Sequence, residues 1–309
     1  MSASSHAGLW WPSALTLAAL ALVLLLVGIS LLALELARGR GRGSLAFARE
    51  GDLYLLDTDR LYTRRLTRSP FVSKLAPAWS PDGREIAFAG QNARRSGLTI
   101  YRMAANGRSL RRVTVLDTVN ANPAWSPDGR WLAYDSASSG NPDIYLIELA
   151  CAPDCAPQRL TTHPLADVNP SWSPDGRSLA FETSRHEHRE IYRLDLGTDA
   201  ERRLTDNRVP DRGAAWSPDG KQIAYSRSGL LYAVDADCDQ QPSGCEALAR
   251  QLTDLPDTAS PAWSPDGRWI AFEAWSGGRW ALFVVAASGG TAEKLTFAGE
   301  ARAPAWWPR

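Results

Sequence analysis

The stretch PAWSPDGREIAFAG at residues 77–90 recurs along the chain with only small changes. Four further copies read PAWSPDGRWLAYDS (123–136), PSWSPDGRSLAFET (170–183), AAWSPDGKQIAYSR (214–227) and PAWSPDGRWIAFEA (261–274). The repeated tryptophans, including one in the terminal APAWWPR, lie 43 to 47 residues apart: Trp79, Trp125, Trp172, Trp216, Trp263 and Trp306. A period of this length is typical of the four-stranded blade of a β-propeller.

Each copy reads as a set of short strands joined by tight turns. Ser-Pro-Asp-Gly predicts a turn, because proline presets φ, aspartate caps its own backbone and glycine tolerates positive φ. In the first copy an apolar second strand follows at 86–88, a third at 100–101 and a fourth at 113–114. Because the same landmarks recur in every full copy, we predict four antiparallel strands per repeat.

The two ends of the repeated region complement each other. Residues 44–67 hold strands two, three and four without a preceding WSPDG, whereas PAWW at 304–307 is a first strand with nothing after it. Together they make one blade, so the six tryptophans predict an all-β, six-bladed β-propeller closed by pairing of its N- and C-terminal strands. Closure leaves only short, protected sheet edges.

With these landmarks the chain resembles the TolB-like six-bladed β-propellers, a family of WD40-like Pro-Asp repeats. Their repeat carries the same W-S-P-D-G, I-A-F, I-Y and L-T signatures, and the resemblance covers residues 44–309. It implies binding of a protein or a glycan, or service as an accessory propeller beside a peptidase. It does not imply one activity, since a fold hosts many functions.

The charge balance argues against a nucleic-acid partner. The 309 residues include 34 Lys and Arg against 34 Asp and Glu, so the formal net charge is zero. Proteins that bind nucleic acid present an excess of basic charge. We therefore predict neither DNA nor RNA binding.

Residues 14–34, ALTLAALALVLLLVGISLLAL, contain no charged side chain. At 1.5 Å per residue they are long enough to cross a hydrocarbon core of about 30 Å, and Trp10 and Trp11 lie where an aromatic belt is expected. We predict an uncleaved transmembrane helix between a short tail (1–13) and a linker (35–43). A cleaved secretory signal is the alternative, but the tail lacks Lys and Arg and no small-residue cleavage pattern follows.

Cysteines occur only in the two repeats whose connection between strands three and four is enlarged. From the apolar residue of strand three to that of strand four, the separation is 13 residues in four repeats, 16 in the CAPDC repeat and 21 in the CDQQPSGC repeat. Each pair brackets its insertion, so we predict the disulfides Cys151–Cys155 and Cys238–Cys245. A zinc ion shared by the four thiolates and free structural thiols are the alternatives.

Two signals in the sequence disagree about the side of the membrane on which the propeller lies. Disulfides form in oxidising compartments, which favours a periplasmic or extracellular propeller. Arg38, Arg40 and Arg42 follow the apolar segment, and the positive-inside tendency would place that flank in the cytoplasm. We expect the propeller outside the cytoplasm.

Strand alternation divides the propeller into two faces. The SPDG turns and the loops from strand three to strand four share one face, called here the turn face. The loops from strand two to three and from strand four to the next blade form the opposite face, called the loop face. Because the linker 35–43 reaches at most about 30 Å and enters on the turn face, we expect the loop face to be membrane-distal.

Polar residues just before each repeated tryptophan are the candidate ligand-binding residues. We expect the loops from strand four to the next blade to deliver them to the mouth of the central channel, since loops on a rigid scaffold carry binding sites. A merely hydrated channel mouth is the alternative. The candidates are Lys74, Asn120, Asp167, Asp211, Arg212, Asp257, Glu300 and Arg302.

Three histidines fall on the loop face of one blade. His163 lies in the loop that enters it, and His186 and His188 lie in SRHEHREIY. Three imidazoles suit zinc or a similar ion, but solvated loop histidines are the better explanation. We predict no metal and no cofactor.

The sequence contains no G-x-S-x-G nucleophile elbow, and the recurring SPDG aspartates have a role in turns. We therefore predict a membrane-anchored, non-catalytic scaffold that binds a protein, peptide or glycan on its membrane-distal face. The alternatives are a metal-dependent hydrolase or lyase at the channel mouth, and an accessory subunit of a peptidase or transporter.

Overall fold

A computed structural model describes residues 42–68, 71–92, 97–115, 118–240 and 244–308, with the side chains of residues 71, 72 and 92 left out. The predicted tail 1–13, the predicted membrane helix 14–34 and nearly all of the linker 35–43 lie outside the described residues. Among the described residues, no helix combines the length and the apolar character that crossing a bilayer requires.

Twenty-four strands form six four-stranded antiparallel sheets in the described chain. Each sheet is one blade, and its strands are named A to D from the inside outwards, because the A strands of successive blades contact one another around the ring. Blade 1 comprises β4 (Phe71–Trp79), β5 (Glu85–Asn92), β6 (Leu98–Ala104) and β7 (Arg111–Arg112). Blade 2 comprises β8 (Asn120–Trp125), β9 (Trp131–Ser136), β10 (Asp143–Glu148) and β11 (Gln158–Arg159). Blade 3 comprises β12 (Asp167–Trp172), β13 (Ser178–Thr183), β14 (Glu190–Asp195) and β15 (Glu201–Arg203).

The remaining blades follow the same plan. Blade 4 comprises β16 (Asp211–Trp216), β17 (Gln222–Arg227), β18 (Leu230–Asp235) and β19 (Arg250–Gln251), with a 3₁₀ turn (Cys238–Gln240) and helix α1 (Gly244–Leu248) before β19. Blade 5 comprises β20 (Thr258–Trp263), β21 (Trp269–Trp275), β22 (Trp280–Ala286) and β23 (Glu293–Lys294). Blade 6 comprises β24 (Arg302–Trp306), β1 (Ser44–Arg49), β2 (Asp52–Asp57) and β3 (Tyr62–Arg65).

The ring closes as the sequence predicts. Strand β24 pairs antiparallel with β1, with Leu45 opposite Trp306 and Ala46 opposite Ala305. Trp306 packs in one buried cluster with Leu45 and Phe47. The sixth blade is therefore built from both ends of the repeated region.

Each SPDG turn is held by the same hydrogen bonds. In the first turn, Ser80 Oγ donates to Asp82 Oδ1 at 2.7 Å and accepts the backbone N–H of Glu85 at 2.9 Å. Asp82 also accepts the backbone N–H of Arg84 at 3.0 Å. The hydrogen bonds from Ser80 and from the Arg84 backbone hold the pKa of Asp82 below its ordinary value. The aspartates of these turns thus shape the backbone.

Both predicted disulfides are present, as Cys151–Cys155 and Cys238–Cys245. Because each thiol is bonded to its neighbour, the alternatives of a shared zinc ion and of free thiols are wrong in this structure. Cys238 is fully buried in a cluster that also contains Ile191 and Leu204 of blade 3.

The insertion stapled by Cys238–Cys245 joins blades 3 and 4. Asp239 accepts a hydrogen bond from Arg202 of blade 3 at 2.9 Å. Glu246 accepts the backbone N–H of Asp206 at 3.0 Å, in the loop that leads out of blade 3. We expected this insertion on the turn face alone, but its acidic residues give it a second set of contacts with a loop of the opposite face.

We expect the double variant Cys238→Ser/Cys245→Ser to lose more stability than Cys151→Ser/Cys155→Ser. Loop-closure entropy assigns each short disulfide about 2 to 3 kcal/mol. Removing the Cys238–Cys245 bond also buries the hydroxyl of a serine at position 238 among apolar side chains, at a further cost of about 1 kcal/mol or more. Urea unfolding followed by circular dichroism gives both free energies, and an equal or smaller loss for the 238/245 variant would contradict the role as a blade-to-blade staple.

Candidate functional site

The loop face carries most of the exposed apolar side chains. Among the described residues, seven of the eleven large hydrophobic side chains that are exposed lie on this face. They are Leu75, Val115, Val119, Leu165, Val209, Trp275 and Phe297. Scattered exposed hydrophobic residues are ordinary on any surface, but their enrichment on one face marks that face as the one to search for a contact site.

A bulge interrupts every A strand three residues before its tryptophan. At this position the backbone has positive φ in all six blades, between 48° and 66°, at Ala76, Asn122, Asn169, Gly213, Ser260 and Ala303. The pairing of the A strand with the B strand shifts register there. A bulged residue lies outside the regular ladder, so its backbone N–H needs another acceptor.

Buried carboxylates supply that acceptor at two blade junctions. Asp135 Oδ1 of blade 2 accepts the backbone N–H of Asn169 in blade 3 at 3.0 Å. Glu273 Oε2 of blade 5 accepts the backbone N–H of Ala303 in blade 6 at 2.7 Å. Both acids follow the aromatic residue of the B strand, where blades 1 and 6 have alanine. These carboxylates therefore join neighbouring blades beneath the loop face.

A third buried acid extends the network. Glu182 accepts two hydrogen bonds from Asn169 Nδ2, both at 3.0 Å, and pairs with Arg189 at 3.3 Å. Burial raises the pKa of Glu182, although Arg189 and Asn169 favour its charged form. Burial likewise raises the pKa of Asp135, against the hydrogen bonds from Asn122 and Asn169.

Four of the eight candidate ligand-binding residues are buried rather than exposed at a channel mouth, which corrects their predicted placement. Each has a partner in the same region: Lys74 Nζ binds Asp52 at 2.8 Å, and the amide of Asn120 donates to Thr118 at 2.7 Å. The carboxylates of Asp167 and Asp211 bind Arg185 at 2.7 Å and Arg227 at 3.0 Å. These side chains cost too much to bury alone, and the partners offset that cost. The four are Lys74, Asn120, Asp167 and Asp211.

The other four candidates, Arg212, Asp257, Glu300 and Arg302, are exposed. Arg212 and Asp257 line a cleft of about 670 Å³ between blades 4 and 5. Arg302 lies beside this cleft, with its guanidinium 4.3 Å from the centre of the Trp280 ring and a salt bridge of 3.2 Å to Glu273.

Two tryptophans line the same cleft, and their rings meet edge to face with centroids 5.8 Å apart. Trp275 is 43% exposed. We name this site the aromatic cleft, defined by Arg212, Asp257, Trp275 and Trp280. It combines an open indole surface with one positive and one negative side chain, which suits a ligand that is partly apolar and partly charged.

A short turn of blade 4 lies at the edge of the aromatic cleft. Blade 4 joins its B and C strands through Ser228 and Gly229 alone, both with positive φ (48° and 82°), as a tight hairpin of the primed type requires. The carbonyl of Gly229 accepts the backbone N–H of Thr258 at 2.8 Å. The turn is therefore tied down against blade 5 at the edge of the cleft.

The three histidines do not gather into a metal site. His163 Nδ1 accepts the backbone N–H of Leu165 at 3.2 Å, and His186 Nε2 lies 2.7 Å from the hydroxyl of Tyr192. In the part of the chain that the structure describes, no group of three His, Cys, Asp or Glu side chains is arranged to hold a metal ion. Burial, with the nearby Arg203, lowers the pKa of His186.

The family model of the TolB beta propeller domain matches residues 46–309. The chain belongs to this family. The TolB-like propeller is 26% identical to TolB from Acinetobacter baumannii, with a TM-score of 0.73 over 86% of this chain and 67% of that chain. A putative TolB from Agrobacterium tumefaciens is 22% identical, with a TM-score of 0.68 over 86% of this chain and 92% of that one.

An oligogalacturonate lyase in complex with manganese shares the fold at 15% identity and a TM-score of 0.54, over 79% of this chain and 70% of that one. No curated protein matches this chain by sequence. Because a lyase shares the fold, the propeller architecture alone does not decide between binding and catalysis.

Sequence reasoning about the TolB-like propeller missed Trp275 and Trp280. Their signal was present, since EAWSGGRW holds two tryptophans outside the repeated WSPDG position. Sequence reasoning also missed Asp135, Glu182 and Glu273. These acids stand directly after the B-strand aromatic residue, where the other three blades have alanine or serine.

We expect Glu182→Gln to flatten the dependence of stability on pH. The pKa of Glu182 is raised in the folded protein, so protonated Glu182 stabilises the fold. This contribution to the free energy of unfolding is fully present below the ordinary pKa of 4.5 and is lost as pH rises towards the raised pKa. Above that ordinary value, the free energy of unfolding should thus fall more steeply with pH in the wild type than in the variant. Urea unfolding at several values from about pH 5 to about pH 7 tests this.

The matched control is Glu187→Gln, an exposed acid of the same blade, which should leave the pH dependence of unfolding unchanged. Equal slopes for the wild type and Glu182→Gln would show that burial of this carboxyl group does not govern its titration.

Proposed function

We propose that this TolB-like propeller is a non-catalytic interaction scaffold that binds a protein or peptide partner through the aromatic cleft. The observation that carries the proposal is the exposed indole of Trp275 beside Arg212 and Asp257 in a cleft of about 670 Å³. Tryptophan and arginine are the residues most enriched among those that dominate binding energy at interfaces.

The cleft is held in shape before any partner arrives. Arg302 is fixed between Glu273 and the face of Trp280, and Trp280 in turn packs on Trp275. A preorganised surface loses less conformational entropy on binding. This supports recognition by a rigid surface.

The acidic residues of this face have structural uses that favour binding over catalysis. Asp135 and Glu273 accept backbone N–H groups of neighbouring blades, and Glu182 is occupied by Asn169 and Arg189. A general acid or base must reach a substrate proton. Buried carboxylates that are already hydrogen-bonded to the scaffold are poor candidates for that task.

We propose that residues 14–34 anchor the propeller at a membrane. The uncharged segment supports the anchor. The two disulfides support an oxidising, extracytoplasmic compartment.

Site-specific photocrosslinking in intact cells tests the binding proposal. A photoreactive phenylalanine analogue at position 275 should give one or a few discrete protein adducts, because the aromatic cleft faces the partner. The matched control is the same analogue at position 110 on the turn face, where Leu110 is 46% exposed against 43% for Trp275. Adducts from position 275 should fall by at least about tenfold in Arg212→Glu, which reverses the charge at the cleft.

Equal adduct patterns from positions 275 and 110 would contradict the proposal. So would the absence of any protein adduct from position 275 in cells that make the protein at its normal level.

A further inference from the structure

The charges of the chain are divided unevenly along its length. Residues 43–112, which include the B, C and D strands of blade 6 and all of blade 1, contain 13 Lys and Arg against 6 Asp and Glu. Residues 113–309 contain 18 Lys and Arg against 27 Asp and Glu. The zero net charge of the whole chain therefore combines a basic part with an acidic part. A charge asymmetry of this kind indicates an anionic surface as a partner.

Exposed arginines of the basic part lie at the turns of blades 6 and 1. Arg60 lies in the turn between β2 and β3, Arg84 directly follows the first SPDG turn, and Arg108 lies in the turn between β6 and β7. The ion pairs of the first two are long, at 3.9 Å from Arg60 Nη1 to Asp57 and 3.8 Å from Arg84 Nε to Asp82. Arg108 has no salt bridge among the described residues. Such loosely held guanidinium groups are available to an anionic partner.

Exposed apolar side chains lie among these arginines. Of the eleven large hydrophobic side chains that are exposed in the described chain, the four that are not on the loop face all lie in or next to the turns of blades 6 and 1. Leucine and aromatic residues beside arginine are typical of a surface that enters the headgroup region of a bilayer. A nucleic acid backbone would offer the leucines no apolar partner. The four are Leu61, Tyr62, Leu110 and Trp307.

Hydrogen bonds join these turns into one continuous surface. The backbone N–H of Trp307 donates to the carbonyl of Ser44 at 2.9 Å, and its indole N–H donates to the carbonyl of Gly83 at 3.2 Å. The backbone N–H of Ala105 donates to the carbonyl of Arg84 at 2.8 Å. The turn between β6 and β7 therefore lies beside the first SPDG turn, which in turn contacts the end of blade 6.

The turn that carries Arg60 is tied to the point where the chain enters the propeller. Thr58 donates to the carbonyl of Gly43 through its backbone N–H, at 3.0 Å, and through its hydroxyl, at 2.7 Å. Gly43 is the last residue of the predicted linker that follows the segment 14–34. Because nine linker residues reach at most about 30 Å, this surface stays close to a bilayer that holds the segment.

We propose that this surface, named here the basic surface, binds anionic lipid headgroups of the bilayer in which residues 14–34 are anchored. Its guanidinium groups pair with lipid phosphates, and its apolar side chains enter between the headgroups. The acidic remainder of the chain is repelled by the same headgroups, so the contact is confined to blades 6 and 1. The basic surface is defined by Arg60, Leu61, Arg84, Arg108, Leu110 and Trp307.

The proposal rests on the membrane anchor proposed for residues 14–34 and is independent of the partner proposed for the aromatic cleft. The test uses the full-length protein in lipid nanodiscs, with a photoreactive phenylalanine analogue at position 110. Discs of phosphatidylcholine alone are compared with discs that also contain about one third phosphatidylglycerol. Mass spectrometry should detect at least about fivefold more lipid adducts in the anionic discs.

The triple variant Arg60→Gln/Arg84→Gln/Arg108→Gln should lower the adduct yield in anionic discs by at least about fivefold, to the yield in neutral discs. The matched control is Arg130→Gln/Arg177→Gln/Arg268→Gln, which removes three exposed arginines from the positions equivalent to Arg84 in blades 2, 3 and 5. This control should keep the wild-type yield, because its arginines lie outside the basic surface.

A second measurement does not depend on the folding of a variant. Raising the salt concentration from about 0.1 M to about 0.5 M should lower the yield from the wild type in anionic discs, because salt screens the attraction between exposed charges. A yield that is unchanged by salt would contradict an electrostatic contact.

Equal adduct yields in neutral and anionic discs, or an equal loss in both triple variants, would overturn the proposal. A protein that enters the discs but forms no lipid adduct at position 110 would overturn it and leave the anchor intact, whereas a protein that does not enter the discs would overturn both. Displacement of the lipid adducts by a short DNA duplex would overturn it in favour of a nucleic-acid site. A protein adduct at position 110 in intact cells, in place of a lipid adduct, would overturn it in favour of a protein partner.

Discussion

The whole ring depends on the contact between a tryptophan and the blade before it. Each A strand ends at a tryptophan, and in four blades its indole donates to a carbonyl of the preceding A strand. The indole buries apolar area between the two blades, and this hydrogen bond satisfies the one polar group of the indole. Trp79 and Trp216 lack this bond but still pack in clusters that contain residues of the preceding blade. No blade therefore completes its core alone, and the sixth requires both ends of the repeated region.

That constraint explains which parts of the molecule are free to vary. The indole contacts and the SPDG turns repeat almost unchanged, whereas the loop face differs from blade to blade. A two-residue turn in blade 4 lies beside the cleft that Trp275 and Trp280 line. Acids placed after the B-strand aromatic residue join blade 2 to blade 3 and blade 5 to blade 6. The indole hydrogen bond is missing at Trp79 and Trp216, whose Nε1 atoms have no partner among the described residues. Trp307 packs on the ring of Trp79.

The fold could be predicted from the repeat because its period, turns and apolar strands are local signals. The split sixth blade and both disulfides could be predicted from the same signals, since each involved only spacing along the chain. The site was harder. Lys74 and Asp211 look like exposed polar loop residues in sequence, yet their partners Asp52 and Arg227 lie 22 and 16 residues away on other strands. Nothing in a local pattern shows such pairing. The same holds for the hydrogen bond from the backbone N–H of Asp206 to Glu246.

Ring closure is the central claim, and hydrogen–deuterium exchange read by mass spectrometry tests it most directly. Amides of the terminal strand 302–306 should exchange about as slowly as those of the equivalent strand 120–125, within roughly tenfold, because β24 pairs with β1 as β8 pairs with β9. Deleting residues 302–309 should then speed exchange in 44–57, across the rest of blade 6. Free exchange of 302–306 in the intact protein, with 44–57 indifferent to the deletion, would contradict a closed six-bladed ring.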